Sequence, residues 1–168
     1  SIYNDEAMKV FSSYEPAERS LCEKTLRARG LDPALYEHQE PPHEDFLLRS
    51  ATLPIFVVAD GVTLEFDTNG NYPSPSPSGI LAQRFCEAVV REAEARYAAF
   101  KVEDLIKVFR SGNQAAAEVN KHYDCSKKTS NFCDKDLLAA TAALALVKDG
   151  KLYWFSLCDA RVSIYEGG

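Results

Sequence analysis

The stretch that decides the fold is Pro54-Ile55-Phe56-Val57-Val58-Ala59-Asp60-Gly61-Val62. Its apolar run, rich in β-branched residues and bounded by proline and glycine, predicts a buried strand over 55–59. Asp60 then stands at the exposed end of the strand, and Gly61 lets another group approach the backbone closely. A second acidic pair, Glu44-Asp45, precedes the apolar run 46–48, and another strand is predicted over 46–49. Strands that present acids at their ends favour a site for a hard cation.

The C-terminal part of the chain predicts further strands. Residues 142–147 and 152–157 are apolar and are separated by Lys148-Asp149-Gly150-Lys151. Asp-Gly between two apolar runs indicates a hairpin with a type I′ turn, because that turn needs positive φ at both central positions. Residues 161–165 alternate, with Val162 and Ile164 apolar, and predict a third strand.

Two long helices are predicted between these groups of strands, over about 79–100 and 102–123. Apolar residues recur in both at helical spacing, and Gly112 and Asn113 weaken the middle of the second helix. A short connection between long helices favours an antiparallel pair. The predicted buried stripes are Leu81, Phe85, Val89, Ala93 and Tyr97 in the first helix and Leu105, Phe109, Ala116, Val119 and Tyr123 in the second.

The remaining segments predict a helical start and several loops. Residues 5–29 have partial helical character, broken by Pro16 and ended by the cluster 30–33. Residues 37–45 and 124–136 are polar and predict loops. The proline-rich segment 72–79 is incompatible with a helix or a central strand and predicts a surface loop. The fold class is therefore α+β, with an antiparallel β-sheet or sandwich and flanking antiparallel helices.

Composition narrows the class of function. The chain has 168 residues, enough for a single domain with a sizeable core, and a net charge of −6, which disfavours a broad surface for nucleic acid or anionic membrane. No apolar stretch approaches the roughly 20 residues that span a bilayer. The five cysteines form no CxxC pair, which disfavours zinc and favours free thiols in a reducing compartment. A Cys125–Cys133 disulfide is weakly indicated. With a polar, acidic N-terminus, we expect a cytoplasmic protein.

The order of the motifs resembles a known family. His43-Glu44-Asp45-Phe46, the stretch 56–62, the helix pair, the strand 141–147 and Cys158-Asp159-Ala160-Arg161 are similar, in this order, to the motifs of the metal-dependent type 2C protein phosphatases. The similarity covers about residues 38–168. It implies a phosphatase domain over 37–168, preceded by an N-terminal helical extension over 1–36.

The resemblance also implies a chemistry. The family hydrolyses phosphoserine and phosphothreonine esters in protein substrates with two Mg²⁺ or Mn²⁺ ions. Carried over, Asp60 would bridge the metals, Gly61 would offer its backbone carbonyl, and Glu44 or Asp45 would hold metal-bound water. Asp60, Glu44 and Asp45 are thus the candidate catalytic residues, and Asp60, Gly61 and Glu44 the candidate metal ligands. Hard cations prefer such oxygen ligands.

The chain departs from the family in several places. An arginine that members often carry before the Glu-Asp pair is missing, and His38 or His43 could take its place. Cys158 and Ala160 stand where Gly and Ser are usual, and Asp159 is better explained as structural than as a ligand. Later Asp-Gly and Asp-Asn motifs with further metal carboxylates are absent from these residues. Three explanations stay open: a piece of a larger phosphatase, a short form whose sheet is completed by an oligomer or partner chain, or an inactive binding module.

Overall fold

The computed structural model describes residues 19–28, 30–36, 43–62, 71, 73–123 and 137–164. They form a four-stranded antiparallel sheet in the order β1-β2-β3-β4, with helices. The α+β class and the antiparallel sheet are therefore confirmed. A sandwich needs a second sheet, and since the described residues contain one sheet, that part of the prediction is untested. The strands are β1 (Asp45–Arg49), β2 (Ile55–Gly61), β3 (Ala140–Lys148) and β4 (Lys151–Leu157).

The helices are α1 (Arg19–Ala28), α2 (Pro77–Arg96) and α3 (Asp104–His122), with short 3-10 turns at Pro33–Tyr36 and Tyr97–Ala99. Of the helix predicted over 5–29, α1 is the described part. Residues 1–18, most of the predicted loop 37–45 and the predicted loop 124–136, including the suggested Cys125–Cys133 pair, lie outside the described residues. The boundary predicted at residue 36 stays a prediction.

The two faces of the sheet differ because side chains alternate along each strand. Ile55, Val57 and Ala59 of β2 point to one face, where they are buried in the core under α2. Val58 and Asp60 point to the other face and are exposed. The core is thus formed between α2, α3 and one face of the sheet, and Asp60 lies on the opposite, outer face.

Helices α2 and α3 are antiparallel, as predicted. Arg96, at the end of α2, lies 3.5 Å from Asp104, at the start of α3. The ring of Phe85, in the middle of α2, packs against Phe109 of α3 with the ring centroids 6.5 Å apart. The stripe predicted for α2 is buried, apart from the half-buried Tyr97.

The stripe predicted for α3 is confirmed in part, because Leu105 and Phe109 pack against the core. All five predicted residues are half-buried, whereas the fully buried residues of α3 are Asp104, Val108 and Gly112. A Cβ at Gly112 would lie 2.6 Å from the Phe85 ring and 2.7 Å from Val89. Gly112, predicted to weaken the helix, therefore permits the close approach of α2 and α3.

The predicted hairpin of β3 and β4 is confirmed in its turn geometry. Asp149 has φ 50° and Gly150 has φ 71°, the positive values of a type I′ turn, and Lys148 pairs with Lys151 across the turn. The strand predicted over 161–165 is wrong for its described part, because residues 161–164 belong to no strand. Cys158, with φ 58°, starts a turn that leads the chain away from the direction of β4.

The prediction that 72–79 excludes helix is also wrong at its end, because α2 begins at Pro77. Proline is well suited to the first turn of a helix, where its missing N–H leaves no hydrogen bond unmade. Ser76 is the N-cap, and its Oγ accepts a hydrogen bond from the Gly79 N–H at 3.3 Å. Among the described helices, none is long and apolar enough to cross a membrane.

Candidate functional site

Two carboxylates meet at one end of the sheet. Asp45, the first residue of β1, is paired in register with Asp60 near the end of β2, and Asp60 is paired with Thr141 of β3. Directly opposed residues on neighbouring strands point to the same face of the sheet. The side chains of Asp45, Asp60 and Thr141 therefore converge on the outer face, as expected for the two acids from the sequence.

The surroundings of Asp60 disfavour its negative charge. Partial burial, the charge of Asp45, a hydrogen bond with Asp45, and the charges of Glu44 and Asp159 raise the pKa of Asp60 from 3.8 to about 6. A cation placed between Asp45 and Asp60 would offset this repulsion, because a nearby positive charge favours the charged form of Asp60.

Glu44 lies on the other side of β1 from Asp45, since adjacent residues alternate in direction. Its side chain is buried, with 7% of its surface exposed, and its Oε1 accepts a hydrogen bond of 2.6 Å from the Ser76 Oγ. Ser76 caps α2, so the carboxylate stands beside the positive end of the helix dipole. The structure thus brings Asp45 and Asp60 together in one cavity, whereas Glu44 contacts the start of α2 and acts on Asp60 through its charge.

Close packing against α2 requires a glycine at position 61, which the sequence alone did not indicate. A Cβ at this position would lie 2.5 Å from the backbone oxygen of Ser78 in the first turn of α2. The N–H of Gly61 donates to the Glu44 carbonyl at 3.0 Å, and the hydroxyl of Ser78 donates to the Val62 carbonyl at 2.7 Å. The group that approaches Gly61 closely is therefore the chain itself, and this contact fixes α2 against the strand end that carries Asp60.

The acids line a cavity of about 370 Å³ on the outer face. Its polar lining consists of Asp45, Asp60, Asp159, Thr141 and Arg161, and its apolar lining comes from strands β1 and β2 and from Ala160. The volume falls at the low end of the range of about 300–1,000 Å³ typical of ligand pockets. The turn at Cys158 places Asp159 and Arg161 on this cavity instead of in a further strand.

The donor set suits a hard divalent cation, within limits. Asp45 and Asp60 offer carboxylate oxygens, and Mg²⁺ is commonly held by one or two carboxylates with water and substrate phosphate completing the shell. In the described part of the chain, no group of three His, Cys, Asp or Glu side chains is arranged as a metal site. Two facing carboxylates match the number that commonly holds one Mg²⁺, whereas the family resemblance implies two ions.

Several residues around the site were missed or underused by sequence reasoning. Ser76 had a usable signal, because serine followed by proline is typical of an N-cap and the first helical position. Thr141 and Arg161 had none, because their place in the cavity depends on strand register and on the turn after β4. Of the histidines proposed as phosphate-binding groups, His43 is exposed and His38 lies outside the described residues.

The described cysteines whose state the structure gives, Cys86 and Cys158, are free thiols, as expected. Burial raises the pKa of the Cys86 thiol to about 12, which makes it unreactive. Comparison of the chain with models of known protein families and with curated proteins gave no match.

Proposed function

We propose that this chain is a phosphatase of the type 2C kind, which hydrolyses phosphoserine or phosphothreonine esters of protein substrates with Mn²⁺ or Mg²⁺. The observation that carries the proposal is the register pair Asp45–Asp60, whose carboxyl groups share a hydrogen bond at the mouth of a cavity. The order of the sequence motifs supports the same assignment. The cytoplasmic location is part of the same proposal.

In this proposal Asp60 and Asp45 bind the cation through their side chains, and Gly61 contributes its backbone carbonyl. When bound, the cation supplies Lewis-acid stabilisation of the phosphoryl oxygens and a water of lowered pKa. The buried Glu44 holds the start of α2 and keeps a negative charge near Asp60. A two-ion centre would require ligands beyond the described carboxylate pair.

The proposal is tested by hydrolysis and by cation binding in parallel. We expect the protein to hydrolyse p-nitrophenyl phosphate with Mn²⁺ and to bind Mn²⁺ in calorimetric titration. Asp60→Asn should abolish both while the circular dichroism spectrum stays unchanged. Glu103→Gln is the matched control, because Glu103 is an exposed carboxylate at the start of α3, away from the cavity. Unchanged hydrolysis in Asp60→Asn would reject the site.

The second candidate is a phosphatase-like domain that has lost catalysis and acts by protein contacts, either with a partner chain or in an oligomer. One observation favours it: the outer face of the sheet exposes apolar side chains, with Trp154 at 48% and Val58 at 39% of their surface. Large exposed apolar groups that share a face are typical of interaction surfaces. Under this reading the protein shows no hydrolysis with either metal, and Trp154→Ser changes its sedimentation behaviour.

A further inference from the structure

The lining of the cavity on the outer face includes one basic side chain, that of Arg161, among acidic ones. Of its charged lining residues, Asp45, Asp60 and Asp159 are negative and Arg161 is positive. A phosphoryl group carries up to two negative charges and would be repelled by three aspartates. The position of Arg161 therefore determines whether the described residues offer any attraction to an anionic substrate.

Arg161 is exposed, and within the described residues it forms no hydrogen bond and no ion pair. Some basic side chains of the described chain are held by acids: Arg84 pairs with Glu87, Arg96 with Glu92 and Lys107 with Asp104. An arginine beside several carboxylates that pairs with none of them keeps its donors available to a ligand.

The backbone explains how Arg161 reaches the cavity. Cys158 takes the left-handed conformation at φ 58°, and the chain then turns through Asp159. Ala160 and Arg161 consequently line the cavity, whereas a continued β4 would have carried them past it. Guanidinium presents several N–H donors in a plane and binds phosphate oxygens in pairs, which a point charge such as lysine cannot do as well.

We propose that Arg161 binds the phosphoryl group of a phosphomonoester in this cavity and so sets the affinity for substrate. The inference rests on the proposed function for its reaction but not for its binding step, because phosphate binding is measurable without turnover. Arg161 contributes charge and paired hydrogen bonds to the bound phosphoryl oxygens, and the acids Asp45 and Asp60 are left to the cation. The ligand class is a phosphomonoester dianion.

The test compares Arg161→Gln and Arg161→Lys with Arg49→Gln in the full chain. Arg49 is a matched control, because it is an exposed arginine on the same face of the sheet at the far end of β1, outside the cavity. Three quantities are measured with Mn²⁺ present: the Kd of inorganic phosphate by calorimetry, and the KM and kcat for p-nitrophenyl phosphate.

Loss of a charge-assisted hydrogen bond typically weakens binding about tenfold or more. We expect Arg161→Gln to raise both the Kd of phosphate and the KM by about that factor, with a smaller change in kcat. Arg161→Lys should fall between Arg161→Gln and the wild type, and Arg49→Gln should match the wild type. Unchanged circular dichroism shows that the variants fold.

The outcomes separate the two proposals. If the wild type binds phosphate, Arg161→Gln weakens that binding and no variant hydrolyses the ester, Arg161 is a phosphate ligand and the proposed function is wrong. If the ester is hydrolysed but Arg161→Gln and Arg49→Gln bind phosphate equally, the inference about Arg161 is overturned. It is also overturned if the wild type binds no phosphate.

Discussion

Replacement of Asp60 by Asn should make the metal-free protein more stable at neutral pH while it removes the cation site. Asp60 is destabilised as a carboxylate first by partial burial and then by the charge of Asp45, a hydrogen bond with Asp45, and the charges of Glu44 and Asp159. Asparagine has nearly the same shape, carries no charge and can donate a hydrogen bond to Asp45. The substitution thus removes the repulsion and preserves the packing.

The size of the expected gain in the free energy of unfolding follows from the pKa of Asp60, which is about 6 in the folded protein against a reference value of 3.8. Taken in full, that difference corresponds to about 3 kcal/mol at about 1.36 kcal/mol per pKa unit. Because Asp60 is exposed by surface area, solvent screening reduces the expected gain to about 1–2 kcal/mol. For a chain of this length the melting temperature should rise by roughly 2–8 °C.

The same difference between the folded and unfolded pKa of Asp60 determines how the free energy of unfolding changes with pH. Between about pH 4 and pH 6 the folded state holds a proton on Asp60 that the unfolded state has released, so the free energy of unfolding falls as the pH rises through this window. The full penalty is present above about pH 6, and below about pH 4 it vanishes. The advantage of Asp60→Asn should therefore be largest at pH 7–8 and small at pH 4.

Thermal unfolding in a chelator, measured from pH 4 to pH 8, tests this reasoning. Glu103→Gln serves as the control for the loss of one negative charge from an acidic protein. Saturating Mn²⁺ should then stabilise the wild type by binding to its folded state and leave Asp60→Asn unaffected. The difference between the two melting temperatures should therefore become smaller or change sign. A melting temperature of Asp60→Asn at pH 8 that equals or falls below the wild type would refute the repulsion.

Further substitutions test the packing and the turn. Gly61→Ala should lower stability by about 2–3 kcal/mol in urea denaturation, because its Cβ would collide with the backbone oxygen of Ser78 at 2.5 Å; unchanged stability would contradict the contact. Gly112→Ala gains about 1 kcal/mol in helix propensity but overlaps the Phe85 ring at 2.6 Å, so a net loss of about 1–2 kcal/mol is expected in the same assay, and a net gain would show that the ring moves aside. Cys158→Gly should raise the melting temperature by roughly 1–4 °C in calorimetry, because a non-glycine residue at φ 58° is strained; a decrease would show that its side chain stabilises the turn.

Short sequence patterns were sufficient to predict the elements whose structure depends mainly on neighbouring residues. The hairpin was predictable because Asp149-Gly150 matches the backbone demand of a type I′ turn. Helix α2 was predictable because one side is covered continuously by the core, so that its apolar residues keep a strict period. The acids at 45 and 60 were predictable as a pair, because each stands at the end of an apolar run.

The errors arise where tertiary contacts decide. The buried line of α3 runs through Val108 and Gly112, since a glycine allows α2 to approach where a larger side chain would hold it away. An alternating pattern at 161–164 was not enough for a strand, because the turn at Cys158 redirects the backbone before pairing continues. Neither a close helix contact nor a positive φ at cysteine has a reliable signature in a single sequence.

Glu44 and Asp45 point in different directions, and this limits the number of carboxylates that can bind a cation in the cavity. The two acids are adjacent in sequence, and a strand sends adjacent side chains to opposite faces. Asp45 thus joins Asp60 in the cavity, while Glu44 accepts a hydrogen bond from the helix cap Ser76. Turning Glu44 into the cavity would break that bond and leave the first turn of α2 without its partner. The cap is therefore a competitor of the metal for Glu44, and the carboxylates that remain on the cavity are those of Asp45, Asp60 and Asp159.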